Sequence, residues 1–144
     1  MSRPLPLFVD TGGLYAAFDE DDVNHEQANA VFDGMEAGEY GPVFTSRYVL
    51  SEFATLMLYQ IGHTAAVEAL STVRQSQTFN ILPVGKATFD AACEEFERFD
   101  DQQISFVDQT SAVLAREHEI EHLFAFDSDL STMGFERVPV DTEA

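Results

Sequence analysis

Leu5-Pro6-Leu7-Phe8-Val9-Asp10-Thr11-Gly12-Gly13-Leu14-Tyr15-Ala16-Ala17-Phe18-Asp19 is the stretch that decides the fold. Residues 5–10 read as a strand, and from about Gly13 to Asp19 the apolar residues take helical spacing. The same change recurs along the chain. Asn24 caps a helix in which Ala28, Phe32 and Met35 share a face; it ends at Gly38, with Gly41-Pro42 as a stop signal beyond. Residues 43–45 form a short strand, and Ser46 opens a helix with Val49, Leu50, Phe53, Met57 and Leu58 as its buried stripe. Gly62 breaks the chain before a helix over residues 63–76, and residues 79–82 form a strand ended by Pro83. Residues 86–99 are expected to be helical with Phe89, Ala92, Cys93 and Phe96 inward, and residues 100–103 to be a loop. A helix over 108–121 leads to a strand at 123–126 and a last edge strand at 136–140. Strands alternating with helices predict a parallel α/β sheet. No repeat or linker interrupts the pattern, so residues 1–144 are expected to form one domain.

Four acids sit where acids are costly. Asp10 closes Leu7-Phe8-Val9, Glu52 lies among Val49, Phe53 and Leu56, Asp108 follows Ile104-Ser105-Phe106-Val107, and Asp127 follows Leu123-Phe124-Ala125-Phe126. An ionised carboxylate in apolar surroundings needs a compensating cation or donors. Gathered together, several would be kept protonated by mutual repulsion unless a divalent ion removed the conflict. Ligands in parallel sheets collect beyond the carboxyl ends of the strands, where Asp10 and Asp127 fall. Asp108 begins a helix and Glu52 lies about two turns into another, within reach of the same rim. The chemistry this suggests is an acidic Mg²⁺ or Mn²⁺ site acting on phosphate esters. Asp129 is a candidate fifth ligand, and Thr11 and Thr110 are placed to hydrogen-bond carboxylates or a metal-bound water.

Structural explanations compete for each residue. Asp10, Asp108 and Asp127 all stand at expected helix starts, where Asp is a favoured N-cap. Arg47 or Arg74 could be an internal partner for Glu52. His118-Glu119-Ile120-Glu121-His122 matches the zinc peptidase pattern H-E-x-x-H. It ends a charged helix immediately before a strand, however, with Glu136 and Glu143 as weak third ligands, so helix-end histidines are the expectation. His25 and His63, near helix starts, read as caps or surface residues. Neither a P-loop nor a G-x-G-x-x-G is present, and no Ser or Cys has an evident base.

Composition narrows the setting. The chain has 144 residues, 26 acidic against 7 basic, and a net charge of −19, with Lys86 as its one lysine. Such a surface suits a cell interior at molar salt, where the Debye length is ~3 Å, and points to a halophilic archaeal source. Cys93, the single cysteine, excludes an internal disulfide and reads as a buried thiol. With no membrane-length apolar run and no signal peptide, a cytoplasmic location is expected.

The four acidic contexts, in order, resemble the PIN-domain ribonucleases, in particular the VapC-type toxins of toxin–antitoxin pairs. Val9-Asp10-Thr11-Gly12-Gly13-Leu14-Tyr15-Ala16 resembles the opening motif, and Thr45-Ser46 with Leu50-Ser51-Glu52-Phe53 the second. Val107-Asp108-Gln109-Thr110-Ser111-Ala112 resembles the third, and Phe126-Asp127-Ser128-Asp129-Leu130 the fourth, where Ala125 stands in place of the family's frequent Thr. The resemblance implies a PIN-like α/β/α sandwich around a mostly parallel sheet. It also implies metal ligation by Asp10, Glu52, Asp108 and Asp127, endonucleolytic cleavage of RNA, a homodimer and a cognate antitoxin. Arg47, Arg74, Arg98 and Arg116 are the candidates for local RNA contacts. A PIN-like module that binds RNA or protein without cutting is the alternative, and a zinc peptidase through His118 and His122 a more distant one.

Overall fold

The computed structural model describes residues 3–100 and 102–142. Asp101 of the anticipated loop and Glu143 lie outside the described residues. Five strands, β1 (Leu7–Val9), β2 (Val43–Ser46), β3 (Phe79–Leu82), β4 (His122–Ala125) and β5 (Glu136–Pro139), form one sheet in the order β3-β2-β1-β4-β5. Every pairing is parallel. The seven described helices are α1 (Thr11–Phe18), α2 (His25–Glu36), α3 (Arg47–Gln60), α4 (His63–Gln75), α5 (Lys86–Arg98), α6 (Phe106–Glu117) and α7 (Ser128–Thr132).

The chain starts in the middle of the sheet, builds outward to β3, and then crosses back to lay β4 on the other side of β1. Right-handed crossovers put the helices made before and after that reversal on opposite faces. The helices α1 to α4 accordingly pack on one another and α5 packs on α6, giving the expected α/β/α sandwich. Central strands covered on both faces should be apolar throughout rather than alternating. Leu7, Phe8 and Val9 of β1 and Leu123, Phe124 and Ala125 of β4 are all fully buried. At the edge, β5 runs from exposed Glu136 to buried Val138. Phenylalanines do the work of the missing tryptophan: Phe18 meets Phe32 and Phe53, and Phe32 meets Phe79 and Phe124, with centroids 5.4–5.9 Å apart.

One glycine is required by packing. A Cβ on Gly13 would collide with the carbonyl oxygen of Phe124, so α1 crosses β4 at a distance no other residue permits.

Four expectations about burial fail, in whole or, at Cys93, in part. Leu58 is 41% exposed, at the outer end of the α3–α4 hairpin. Phe89 and Phe96 are 40% and 51% exposed and lean on Phe106 instead of entering the main core. Ala92 is the residue of that helix face that is fully buried, and Cys93 is half-buried. Acidic α5 therefore sits against α6 through a small aromatic cluster, a satellite that periodicity cannot distinguish from a core stripe.

Candidate metal centre and its family

In a doubly wound sheet the crevice opens where the strand order reverses, at the carboxyl ends of the two strands flanking that point. Here those strands are β1 and β4, and Asp10 and Asp127 follow close on their ends. Asp10 is the N-cap of α1 by backbone position, with φ −84° and ψ 163°, but its side chain makes no cap hydrogen bond. Its Oδ1 is buried and has no hydrogen-bond partner among the described residues. Capping therefore does not explain Asp10. Asp127 does cap: its Oδ1 accepts the Asp129 N–H at 2.9 Å, leaving its other oxygen uncommitted.

Asp108 is not a cap. The helix starts earlier than expected, at Phe106, because the Ser105 hydroxyl oxygen accepts the Asp108 N–H at 3.1 Å. Ser105-Phe106-Val107-Asp108 has the S-x-x-D spacing of a capping box, the signal by which the earlier start was legible. Ser46 caps α3 in the same way, accepting the Val49 N–H at 3.1 Å. That fixes the helix that carries Glu52. Glu52 is half-buried, and neither Arg47 nor Arg74 pairs with it among the described residues.

The four carboxylates act on one another. Burial, then the Asp108 charge, pushes Asp10 well above the usual carboxylate range; the N–H dipoles of Thr11 and Gly12 offset part of this, and Glu52 adds to it. Burial, followed by Asp127 and Glu52, raises Asp108 from 3.8 to about 6. Asp108 thus interacts with Asp10, Glu52 and Asp127 alike. Carboxylate oxygens of Asp108, Asp127 and Asp129 lie within 4.8 Å of one another. Burial and Asp127 also raise Asp129. The centre is closed at Asp10, which is 3% exposed, and open to solvent at Asp127.

An unpartnered buried carboxylate oxygen beside a cluster of hard oxygen donors is the chemistry that a divalent cation resolves, so these residues fit such an ion. Thr11 places a buried hydroxyl without a partner next to Asp10. Thr110 serves as a helix-start hydroxyl: it donates to the Phe106 carbonyl of its own helix at 2.9 Å.

The histidine pair comes apart. His118 ends α6 and stacks on Phe44 at 5.6 Å, Glu119 turns the chain with φ 56°, and His122 stands on β4 against Glu136 at 3.0 Å. A zinc-binding H-E-x-x-H needs one continuous helix, and this one stops at Glu117. His25, expected as a cap or surface residue, holds the Ala16 carbonyl through Nδ1 at 2.8 Å and so ties α2 to α1.

The sequence matches the PIN domain over residues 7–136. The chain belongs to the PIN-domain family. A Mycobacterium tuberculosis protein described as the 23S rRNA-specific endonuclease VapC20 is 35% identical over 132 residues, spanning 92% of this chain and 97% of that one. The crystal structure of M. tuberculosis VapC20, described as a sarcin–ricin loop cleaving toxin, superposes with a TM-score of 0.84 at 34% identity, covering 92% and 98% of the two chains. VapBC2 from Rickettsia felis, bound to a promoter DNA fragment, shares the fold at 12% identity with a TM-score of 0.63 over 89% and 92%. This PIN domain is thus of the VapC type, as the resemblance to VapC-type PIN-domain ribonucleases implied. Among the described residues, no helix is long and apolar enough to cross a membrane.

Proposed function

We propose that this PIN domain is the toxin of a toxin–antitoxin pair, using Mg²⁺ or Mn²⁺ at Asp10, Glu52, Asp108 and Asp127 to cleave a looped segment of large-subunit ribosomal RNA. The observation that carries the assignment is the buried, unpartnered Oδ1 of Asp10 in a group of mutually repelling carboxylates. A bound divalent ion supplies a water of lowered pKa and offsets charge on the scissile phosphate. The chain's own residues prepare for that. Asp10, whose burial favours its protonated form, and Asp108 would hold the ion as carboxylates, and Glu52 is held by a capped helix. Thr11 offers a hydroxyl to a water or phosphate oxygen beside Asp10. Asp127 is the fourth ligand and Asp129 a supporting one, since the first helical turn after β4 presents both to Asp108.

The substrate follows from the 35% identity to an enzyme described as 23S rRNA-specific, and from the accessibility of backbone in RNA loops. The antitoxin follows from the VapC-type family membership. A homodimer is supported by the exposed apolar side chains Leu58, Tyr59, Ile61 and Val67 on the α3–α4 hairpin. The net charge of −19 supports a halophilic cytoplasm as the working environment.

The test is cleavage of a labelled sarcin–ricin stem-loop at molar KCl with Mn²⁺, with Mg²⁺ and with EDTA. Wild type and His118→Ala should cut in metal and not in EDTA, and Asp10→Asn should not cut at all. A folded, antitoxin-free wild type that binds the RNA without metal-dependent scission would establish the non-cleaving module instead.

A further inference from the structure

Cations are scarce here, and most are committed. Of the 7 basic residues, Lys86 pairs with Asp90 at 2.6 Å, Arg98 with Glu95 at 3.4 Å and Arg137 with Asp141 at 2.9 Å. Arg116 donates to the Met133 carbonyl at 3.1 Å and lies over the Phe135 ring. Arg3 precedes β1, at the end of the sheet away from the carboxylates. The remaining two, Arg47 and Arg74, are exposed, have no ion pair among the described residues, and line the same groove of about 490 Å³. Among the described residues no carboxylate lines that groove, in a chain where acids outnumber bases 26 to 7. Its other walls are Leu50, Ser51, Ala54, Leu70 and Ile81.

The groove's position can be worked out from the sheet. The Thr45 hydroxyl donates to the Val9 carbonyl at 3.0 Å, so the end of β2 lies against the end of β1. Arg47 comes two residues after Thr45, and Asp10 one residue after Val9. Ile81 pairs in register with Thr45 on the other side of β2. Arg47, Leu50, Ser51 and Ala54 recur at i, i+3, i+4 and i+7 along one face of α3, while Glu52 lies on a neighbouring face. The helix start therefore divides the carboxylates from the arginines, and a strand crossing that start would reach both.

We propose that Arg47 and Arg74 form a clamp for a phosphodiester of the RNA strand flanking the scissile linkage. This rests on the ribonuclease reading above. Guanidinium groups grip phosphate oxygens in paired hydrogen bonds, and that grip survives where long-range attraction is screened. At molar salt the Debye length of ~3 Å leaves contact interactions as the ones that count. A groove that repels no anion and has an apolar floor for a sugar or base edge meets both needs.

The experiment uses steady-state cleavage of the sarcin–ricin stem-loop in Mn²⁺ by wild type, Arg47→Gln, Arg74→Gln, the double variant and Arg74→Lys. The expected result is a KM raised about tenfold for each single variant and about a hundredfold for the double, with kcat within about threefold. Arg74→Lys should fall between wild type and Arg74→Gln. Methylphosphonate linkages placed one at a time around the cut should then weaken wild type at the clamped position and leave the double variant unchanged there. A double variant with wild-type KM, or the same methylphosphonate profile in both proteins, would overturn the clamp while leaving the nuclease intact. Unchanged RNA cleavage with weakened antitoxin binding would reassign the groove to an acidic peptide. A wild type that cuts no RNA would remove the ribonuclease reading itself, and the clamp with it.

Discussion

Asp108 couples folding to protons in a direction opposite to most carboxylates. In the folded chain it titrates at about 6 against an ordinary 3.8, because it is buried and faces Asp127 and Glu52. The native state thus holds this proton more tightly than the unfolded state. Stability from this group is complete below pH 4 and is lost as the pH rises through 6. A difference of about 2 units at 1.36 kcal/mol each makes the loss about 3 kcal/mol. For a chain of this size that is a fall in Tm of about 9 °C between pH 4 and pH 7. The perturbation is Asp108→Asn, which keeps the shape and cannot ionise. Thermal melts in EDTA at fixed molar KCl, followed by circular dichroism, should show the wild-type Tm falling more steeply with pH than the variant's. General self-repulsion of the acidic surface is shared by both proteins and cancels in the difference. Saturating Mn²⁺ should raise the wild-type Tm most above pH 6, with proton release from Asp108 on binding confined to lower pH, and should do little for Asp108→Asn. Parallel melting curves for the two proteins in EDTA would refute the argument, because the strain it assigns to ionised Asp108 would not exist.

Gly13→Ala should lower Tm by several degrees, a loss of about 1–3 kcal/mol from the collision with the Phe124 carbonyl that outweighs the gain in helix propensity. Asp127→Asn keeps an acceptor for the Asp129 N–H, so its melting point in EDTA should stay within about 2 °C of wild type while Mn²⁺ affinity, read by calorimetry, drops at least about tenfold. A larger affinity loss in Asp129→Asn than in Asp127→Asn would exchange the two roles. Leu58→Glu should shift the sedimentation coefficient at molar KCl from dimer to monomer; an unchanged dimer would place the interface elsewhere than the α3–α4 hairpin.

The strands were legible as short apolar-rich runs, closed after β1, β3, β4 and β5 by Asp10, Pro83, Asp127 and Asp141, while β2 ends at the helix-capping Ser46. All five lie within about two residues of the places periodicity put them. The acids were legible for the same reason: Asp10 and Asp127 interrupt runs that have no other polar residue. Burial of Phe89 and Phe96 was misjudged because a helical stripe shows that one face packs, and says nothing of whether it packs on a core or on a neighbouring helix. The start of α6 was misplaced by taking Asp108 as its cap when Ser105 stood three residues before it. The histidine pair misleads for a local reason: the break at Glu119, with its positive φ, carries no glycine to announce it. The arginine groove needs β2, β3, α3 and α4 in place before it exists, so no linear reading could separate Arg47 and Arg74 from Arg98 and Arg116.

The reversal of strand order has a consequence for how the chain is made. β1 is made before β4, and the flank that receives β4 stays bare until residues 122–125 have been synthesised. At 5–20 residues per second, that interval lasts several seconds. Throughout it, Asp10 and Glu52 have no Asp127 to complete the set of four ligands proposed for the cation. On the function proposed above, a partly made chain therefore lacks the complete ligand set. The four carboxylates can come together only once β4 has docked beside β1 and carried Asp127 to the rim.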